Sequence, residues 1–370
     1  MLETIKDTLR KSDYFMLLLM VILAVISFSA IYSAVYDPST GEVQNHPYKQ
    51  IRVFAFGLLS YATISFVGYR RIVKYAIPLY ILGCIFLVVV KFKGFSGMGA
   101  QRWLLIGSLS IQPSELFKWV WVVMLAWVFN DLQSESMGLL KIMRKFIWLI
   151  PPFLLVFFQP DLGTAATYLM TWGLVVLFLG VKRSIIGLML IVLFVSAPVA
   201  WGHLKDYQKM RVITFIAPDK YAGKEGYQAI QARIAIGSGG LTGKGYLKGT
   251  QSHLRFMPER HTDFIFAVIN EEFGFAGGIT VIGIFFVLIS RIIYIAAQLK
   301  DAHGKMLCVS IASFIFFQFF VNVGMTIGLA PVVGVPLPFV SAGGSSLLTF
   351  ISMLGLINSV YISKAGDNFI

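Results

Sequence analysis

The sequence is poor in charged residues. Asp, Glu, Lys and Arg together make up 13% of its 370 residues, whereas an average soluble domain has about 25%. Hydrophobic residues make up 57%, and the mean hydropathy is +0.77. This composition excludes an ordinary soluble globular protein and predicts that lipid is the main solvent of the chain.

Cysteine is also scarce. The two cysteines, Cys84 and Cys308, each lie inside an apolar block. A thiol in such a block usually packs as a small hydrophobic side chain. The sequence therefore favours neither a disulfide scaffold nor a cysteine metal site.

Acidic residues are outnumbered by basic ones, 18 against 31, which gives a formal net charge of +13. A strongly basic chain can bind nucleic acid, but the sequence has no aromatic and basic RNA motif and no zinc-finger spacing. Much of the basic charge flanks apolar blocks. We therefore predict that this charge meets anionic lipid and that the chain binds no nucleic acid.

Apolar blocks recur along the whole chain. A helix needs about 17 to 25 residues to cross a bilayer. The blocks predict an all-α, polytopic integral membrane protein in which residues 1–370 form one domain with about ten transmembrane helices. The predicted helices are Tyr14–Tyr32, Ile51–Val67, Ala76–Val90, Ser114–Phe129, Phe146–Phe158, Leu162–Val181, Ile185–Trp201, Phe273–Ile289, Met306–Ala330 and Leu337–Ile362.

Basic residues cluster in alternate connections between these blocks. Cytoplasmic loops are enriched in Lys and Arg, so the alternation predicts that both termini are cytoplasmic. The connections 159–161 and 331–336 carry no Lys or Arg, as outward-facing turns should. The clusters are Lys6/Arg10/Lys11, Arg70/Arg71/Lys74, Lys141/Arg144/Lys145, Lys182/Arg183 and Arg291/Lys300/Lys305.

The connection 202–262, between predicted helices seven and eight, is long and basic. The alternation places it outside, and long loops escape the charge rule. We expect it to bind something anionic, although a charged loop can also be merely solvated. Its Gly237–Gly245 stretch favours either a flexible turn or a phosphate cradle, and it lacks the Walker A spacing.

Several motifs in the chain resemble those of the shape, elongation, division and sporulation (SEDS) family, and together they span nearly all of it. Arg260 within the last loop motif is similar to the elongation branch, where the division branch usually has Ala. Ala342 stands where the family usually has Tyr. The motifs are Gly99–Trp103, Gln112–Lys118, Gln159–Thr164, Gln228–Gly245, Gly249–Gln251, Pro258–Phe266 and Pro336–Ser341.

The resemblance implies a peptidoglycan glycosyltransferase that polymerises lipid II into glycan strands during cell-wall elongation, releasing undecaprenyl pyrophosphate. Asp263 is in the place of the family's essential carboxylate. A base must take a proton from the attacking sugar hydroxyl, and one carboxylate can do this. The alternatives are that Asp263 only starts a helix, or that His261 is the base.

The resemblance also implies a substrate site at the periplasmic face of the bacterial cytoplasmic membrane. Its cations could stabilise the departing pyrophosphate. Structural roles are the alternative interpretation of several of these residues. Glu115 and Lys118 could be an internal ion pair, Asp161 a helix cap and Trp103 an interfacial anchor. The predicted substrate-binding residues are Arg102, Trp103, Glu115, Lys118, Asp161, Arg211 and Arg260.

The implied partners are lipid II, the growing glycan strand, a class B penicillin-binding protein with transpeptidase activity, and other membrane proteins of the elongation complex. A lipid II flippase and a non-enzymatic scaffold are the alternative functions. The sequence leaves open whether a divalent cation such as Mg²⁺ assists pyrophosphate departure. We expect Glu271 and Glu272 to lie in an amphipathic extension at the membrane interface, and their role is open.

Overall fold

The computed structural model describes residues 8–97, 100–106, 109–130, 138–221, 226–253, 257 and 259–367. Gly99, Arg255 and Pro258, which belong to the loops and motifs above, lie outside the described residues. The described chain is mostly helical. The helices are α1 Tyr14–Val35, α2 His46–Val67, α3 Tyr69–Lys74, α4 Ala76–Lys93, α5 Pro113–Val128, α6 Leu139–Phe146, α7 Ile150–Phe157, α8 Leu162–Phe178, α9 Arg183–His203, α10 Asp206–Ile216, α11 Tyr227–Gly239, α12 Thr250–His253, α13 Ile265–Ala297, α14 Ala302–Ile327 and α15 Gly344–Asp367.

Every predicted membrane helix overlaps one of these helices. Among the described residues, five helices are long and apolar enough to cross a membrane by length and composition: α1, α2, α13, α14 and α15. The chain is therefore a helical membrane protein. The count of ten spans and the side on which each loop lies stay predictions.

Two predicted helices have the largest boundary errors. The eighth predicted helix, Phe273–Ile289, spans Ile265–Ala297 in the structure, so it includes Glu271 and Glu272. The last helix begins at Gly344 instead of Leu337. Residues 337–343 are not helical because proline at 336 and 338 disfavours a helical backbone there.

The described chain is mostly helical, but it is not all-α as expected. Between α4 and α5 the chain forms a small antiparallel sheet of three strands, β1 Phe95–Gly97, β2 Ala100–Ile106 and β3 Leu109–Ile111. Strand β2 lies in the middle and pairs Trp103 with Phe95 and Leu104 with Ile111. Strands β1 and β3 have three residues each, too few for an alternating pattern, and the sequence of β2 does not alternate between apolar and polar residues.

Aspartate caps begin three of the long or site-bearing helices. Asp13 accepts a hydrogen bond from the Met16 amide at 3.1 Å, and Asp161 from the Thr164 amide at 3.2 Å. Asp301 accepts one from the Gly304 amide at 2.7 Å. Each bond satisfies an amide that has no partner inside its helix, which fixes where the helix starts.

The bundle core lies among α1, α5, α8, α14 and α15. Its aromatic side chains form a continuous row in which the Trp121 and Tyr168 rings are 6.1 Å apart, those of Tyr168 and Phe314 are 6.5 Å apart, and those of Phe314 and Phe350 are 6.4 Å apart. Such edge-on aromatic contacts add to the packing of apolar surface. The row holds α5 and α8, which carry candidate site residues, against α14 and α15.

Candidate functional site

Asp263 lies in a turn immediately before α13. The turn is closed by hydrogen bonds from the Thr262 and Phe264 amides to the Glu259 carbonyl, both at 3.2 Å. Asn322 of α14 supports it from behind, because its side-chain amide donates to the carbonyls of Asp263 at 2.9 Å and Val335 at 2.8 Å. The backbone at Asp263 is therefore fixed by a buried polar side chain.

The Pro336–Ser341 motif supports the same turn. The Ser341 hydroxyl donates to the Thr262 carbonyl at 2.6 Å and accepts from the Leu337 amide at 2.8 Å. The Ala342 amide donates to the His261 carbonyl at 2.9 Å. Position 342 thus contacts the turn through its backbone, and that contact does not need the tyrosine side chain that is usual in the family.

The carboxylate of Asp263 faces Arg211 of α10 across the backbone of Gly334. A side chain added at Gly334 would start 3.4 Å from Oδ2 of Asp263 and 3.7 Å from Nη1 of Arg211. Both groups therefore lie over one point of the segment between α14 and α15. Gly334 leaves this space open between the acid and the cation.

Burial raises the pKa of Asp263 from 3.8 to about 7. The charges of Glu259 and Asp161 also raise this pKa, whereas Arg211 lowers it. A general base is most effective when its pKa is near the working pH. The environment of Asp263 therefore gives it the proton affinity that a base at neutral pH needs.

A cavity of about 70 Å³ opens between Arg102, Asp161, Tyr207 and Arg211. Arg102 reaches it from β2: its Nε donates to the Gln159 carbonyl at 2.9 Å and its Nη1 is 3.7 Å from Oδ2 of Asp161. A second nitrogen of Arg102 donates to the Pro160 carbonyl. The cavity therefore has two guanidinium groups in its walls.

Asp161 has two structural roles. Its Oδ1 caps α8, and its Oδ2 accepts a hydrogen bond from Gln112 at 3.4 Å besides pairing with Arg102. The capping alternative is therefore present in the structure. Asp161 still lies in the cavity wall and is close enough to influence the pKa of Asp263, so the structure brings Arg102, Asp161, Arg211 and Asp263 together.

Arg260 and His261 face another way. Arg260 is buried and its Nε donates to the Ala34 carbonyl near the end of α1. The ring of His261 lies 4.6 Å from that of His46. Burial, helped by the charges of His46 and Arg260, lowers the pKa of His261 to about 4, so this imidazole is neutral and weakly basic at pH 7.

Glu115 and Lys118 form an ion pair one turn apart on α5, with Nζ 2.5 Å from Oε1. The ammonium group is fully buried and lies 5.9 Å from the Phe314 ring centre. The structure therefore contains the internal ion pair that was the alternative to a substrate-binding role for Glu115 and Lys118. Trp103 lies half-buried on β2, so among the predicted substrate-binding residues Trp103, Glu115, Lys118 and Arg260 do not line the cavity.

Glu271 and Glu272 do not form the exposed polar face that the expected amphipathic extension would have, because both are almost fully buried. Oε1 of Glu271 accepts from Lys244 Nζ at 2.7 Å and from the amides of Thr250 and Gln251 at 2.7 and 2.8 Å. Glu272 accepts from the Ser33 hydroxyl and from the Leu247 amide. The two glutamates hold the long loop against α13.

The glycine-rich stretch packs directly on the backbone of α13. The amides of Lys244 and Gly245 donate to the carbonyls of Glu271 and Glu272 at 3.0 and 2.9 Å. Gly243 and Gly274 both have positive φ, at 83° and 65°, and a side chain on either would collide with the opposite backbone. These amides are used within the fold, which favours a structural turn over a phosphate cradle.

Sequence reasoning did not select Gln112, Tyr207, Asn322 or Gly334 as site residues. Gln112 begins one of the family-like motifs, and Asn322 is a polar residue in an apolar helix, which usually has a functional or structural reason. Among the described residues, no three His, Cys, Asp or Glu side chains are grouped so that they could hold a metal ion.

The fold and this cluster define a class of protein. It is a helical membrane protein in which a carboxyl group with a pKa near 7 and two guanidinium groups lie together outside the long helices. The chain belongs to the FtsW/RodA/SpoVE family of cell cycle proteins, whose model matches residues 12–365. It is 40% identical over 355 residues to the peptidoglycan glycosyltransferase MrdB of Escherichia coli K12, covering 95% of this chain and 94% of that protein. It is 32% identical over 422 residues to the peptidoglycan glycosyltransferase RodA of Treponema pallidum, covering 94% and 97%.

Solved structures show the same fold. A chain from a structure on the coordination of polymerization and crosslinking by a peptidoglycan synthase complex matches with a TM-score of 0.80 and 28% identity, over 95% of this chain and 98% of that one. The rod shape determining protein RodA of Thermus thermophilus matches with a TM-score of 0.68 and 27% identity, over 95% and 96%.

Proposed function

We propose that this chain is a peptidoglycan glycosyltransferase of the bacterial cytoplasmic membrane that polymerises lipid II during cell-wall elongation. The observation that carries the proposal is the environment of Asp263, a half-buried carboxylate within the Pro258–Phe266 motif that has a pKa of about 7 and faces Arg211 across Gly334. Relatives that match nearly the whole chain are peptidoglycan glycosyltransferases.

In the proposed reaction, a sugar hydroxyl of the acceptor attacks the anomeric carbon of the lipid-linked donor. Asp263 takes the hydroxyl proton as the new glycosidic bond forms. The bond from the anomeric carbon to the pyrophosphate oxygen breaks, and undecaprenyl pyrophosphate leaves with the electron pair. Arg211 and Arg102 stabilise the negative charge that develops on it.

We place the long connection 202–262 on the periplasmic side, as a loop within a single domain of residues 1–370, with both termini in the cytoplasm. The alternation of basic clusters supports this orientation. The described parts of the loop fold as α10, α11 and α12, and α10 supplies Arg211. The lipid-linked substrate then reaches the site from the outer leaflet.

The proposed partner is a class B penicillin-binding protein, a transpeptidase that crosslinks the new strands, together with other membrane proteins of the elongation complex. The likeness to a chain of a peptidoglycan synthase complex that coordinates polymerization and crosslinking supports a partner of this kind. A polymerase beside a transpeptidase would deliver its product directly to the crosslinking enzyme.

The test is polymerisation of labelled lipid II by the purified full chain, with and without the transpeptidase, followed by sizing of the glycan on a gel. We expect long glycan strands that require Asp263. A chain that moves lipid II across vesicles but makes no polymer would be a flippase. A chain that only restores the activity of another polymerase would be a scaffold.

A further inference from the structure

A glutamine of α2 holds the segment between α14 and α15. Nε2 of Gln50 donates to the Ser341 carbonyl at 3.1 Å, and its Oε1 accepts from the Gly343 amide at 3.4 Å. Nε2 also donates to the Ser27 hydroxyl of α1 at 3.2 Å, and this hydroxyl donates to the Val340 carbonyl at 2.8 Å. Two side chains of α1 and α2 therefore fix the backbone just before α15.

The clamp formed by Gln50 and Ser27 lies inside the protein. Both residues are buried, and so is Ser341. A buried amide that keeps its hydrogen bonds is specific about the position of its partners, because a displaced partner leaves a buried polar atom unsatisfied. The clamp thus sets the position of the backbone that it binds.

The clamped segment has a backbone that needs such support. Phe339 has a φ of 64°, in the left-handed region that a residue with a side chain rarely adopts. A conformation of this kind persists only where the surroundings determine it, and such residues cluster at functional sites. The Phe339 ring lies 5.4 Å from the Phe350 ring of α15. The unfavourable turn is therefore held by the packing of its ring and by the clamp on the next residue.

The same segment supports the turn that carries the candidate base. Ser341, whose carbonyl is held by Gln50, donates its hydroxyl to the Thr262 carbonyl at 2.6 Å. The Ala342 amide donates to the His261 carbonyl at 2.9 Å. Only one residue therefore separates Gln50 from the backbone next to the base, although Gln50 lies outside the described lining of the cavity.

The other end of the segment borders the gap between the acid and its cation. Asp263 faces Arg211 across Gly334, and Asn322 donates to the adjoining Val335 carbonyl at 2.8 Å. The segment thus has a polar anchor near each end. If the backbone of the segment shifts, the distance between the carboxylate and the guanidinium changes with it.

We propose that Gln50 is a positioning residue for the glycosyltransferase reaction, an inference that rests on the proposed function. Gln50 fixes Ser341 and thereby the direction in which the Asp263 carboxylate points toward the acceptor hydroxyl. Proton transfer needs hydrogen-bond distance, and a misplacement of about 1 Å can cost about 10²-fold in rate. Gln50 acts through the backbone, so it affects the rate of the reaction and not the binding of substrate.

The test compares Gln50→Met with the parent. Methionine has a similar length but cannot form the hydrogen bonds of the clamp. Polymerisation of labelled lipid II by the purified full chain is measured across the neutral pH range, with the rate expressed per molecule of folded, monodisperse protein. We expect kcat to fall about 10- to 100-fold and KM for lipid II to stay within about twofold. The pH at which the rate is half-maximal should move by about 0.5 unit or more.

This midpoint distinguishes positioning from a loss of folded protein. The charges that act on Asp263 come from Glu259, Arg211 and Asp161, and Gln50→Met changes none of them. A moved midpoint therefore shows that these groups have changed position relative to the carboxylate. A smaller number of folded molecules would lower the rate equally at every pH and leave the midpoint unchanged.

The matched control is Asn358→Leu, which also replaces a buried amide by an apolar side chain of similar size. Asn358 of α15 donates to the Ser65 hydroxyl of α2 at 3.0 Å and accepts from the Asp13 amide at 2.9 Å. Its partners are far along the chain from the clamped segment and from Asp263. We expect a lower melting temperature, the parental midpoint, and a kcat per folded molecule within about twofold of the parent.

Ser27→Ala tests the same clamp by a smaller change, and it serves if Gln50→Met does not fold. The substitution removes the hydroxyl that bonds to both Gln50 and Val340. We expect the midpoint to move in the same direction as in Gln50→Met, with a loss in kcat of about threefold or more.

Three results would overturn the inference. The parental midpoint in both clamp variants would show that Gln50 only packs α2 against its neighbours. An equal shift in Asn358→Leu would show a general loosening of the bundle. Absence of glycan from the parent would contradict the proposed function and the inference with it, whereas the first two results require an active parent and leave the proposed function standing.

Discussion

At the scale of single residues, Asp263 combines a raised pKa with the open space that Gly334 leaves in front of its carboxylate. Burial stabilises its neutral form, while Arg211 partly offsets this by favouring the charge. Asn322 and Ser341 hold the surrounding turn from two sides. The site therefore maintains a carboxylate that can accept a proton without a large change in its surroundings.

We expect Asp263→Asn to abolish polymerisation while the chain still inserts and folds. Asparagine keeps the shape but cannot take a proton, and loss of a general base typically costs about 10²- to 10⁴-fold in rate. Glycan yield from labelled lipid II in reconstituted membranes measures this. Asparagine caps a helix about as well as aspartate, so a yield within a few-fold of the parent would show that Asp263 only starts α13.

The pH dependence follows from the same pKa. The base works only when ionised, so the polymerisation rate should fall as the pH drops below about 7. The stability of the folded protein should change with pH in the opposite direction, because a carboxyl whose pKa is raised in the folded state contributes stability at low pH that is lost as the pH rises through 7. The asparagine variant has no such group. The melting temperature of Asp263→Asn should therefore increase relative to that of the parent as the pH is raised from 4 to 8. A rate that is flat from pH 5 to pH 8 would contradict the assignment.

The buried ion pair on α5 gives a third prediction. Lys118→Ala leaves Glu115 without its cation, and breaking a buried pair typically costs about 3 to 5 kcal/mol. Glu115→Gln/Lys118→Met removes both charges and should recover most of the thermal stability measured in detergent. If this double variant folds but makes no glycan, Lys118 has a role in substrate use beyond neutralising Glu115.

At the scale of elements, α13 joins the candidate site to the long loop. Asp263 precedes its first residue, and Glu271 and Glu272 lie two turns further on, bonded to the loop 244–251. Gly274 has a non-helical backbone and allows the loop to approach. A displacement of the loop would therefore change contacts of α13 about two turns from Asp263.

We expect Glu271→Ala to loosen this loop. The substitution removes the carboxylate that accepts from the Lys244 ammonium, from the amides of Thr250 and Gln251 and from the Thr250 hydroxyl. A hydrogen bond to a charged group contributes about 1.5 to 3 kcal/mol. The amides of Thr250 and Gln251 should exchange with solvent about tenfold faster or more, as measured by hydrogen exchange with mass spectrometry. Glu42→Gln, at an exposed glutamate, is the control. Unchanged protection at Thr250 would show that the loop is held by other contacts.

The sequence predicted the elements with strong hydrophobic signals better than the contacts between elements. All ten apolar blocks overlap helices, since a membrane helix is visible in one stretch of sequence. The burial of Glu271 was not predictable in the same way, because its partners Lys244 and Thr250 come from another part of the chain. The cavity beside Asp263 is likewise lined by Arg102, Asp161 and Arg211, which come from three different elements. These residues were predicted as part of the substrate site that the family resemblance implies, and their spacing in the sequence does not show that they lie together.

At the scale of the whole molecule, polar clusters hold the bundle at two ends. One surrounds Asp263. In the other, Arg291 of α13 bonds to Asp13 at 2.9 Å, and the Asp13 amide donates to Asn358 of α15 at 2.9 Å. Helices α1, α13 and α15 are thereby joined near the predicted cytoplasmic surface, while the apolar core between the clusters matches the hydrocarbon region.

The orientation of this bundle is the last prediction. The alternating basic clusters place Lys248 outside and Lys182 inside, and both side chains are exposed, so each position is open to a reagent. In a background lacking Cys84 and Cys308, a membrane-impermeant thiol reagent should label Lys248→Cys on intact spheroplasts and Lys182→Cys only after permeabilisation. Mass spectrometry of the labelled protein measures both. Labelling of position 182 on intact spheroplasts, with position 248 protected, would reverse the orientation and place Asp263 in the cytoplasm, where a periplasmic polymerase could not work.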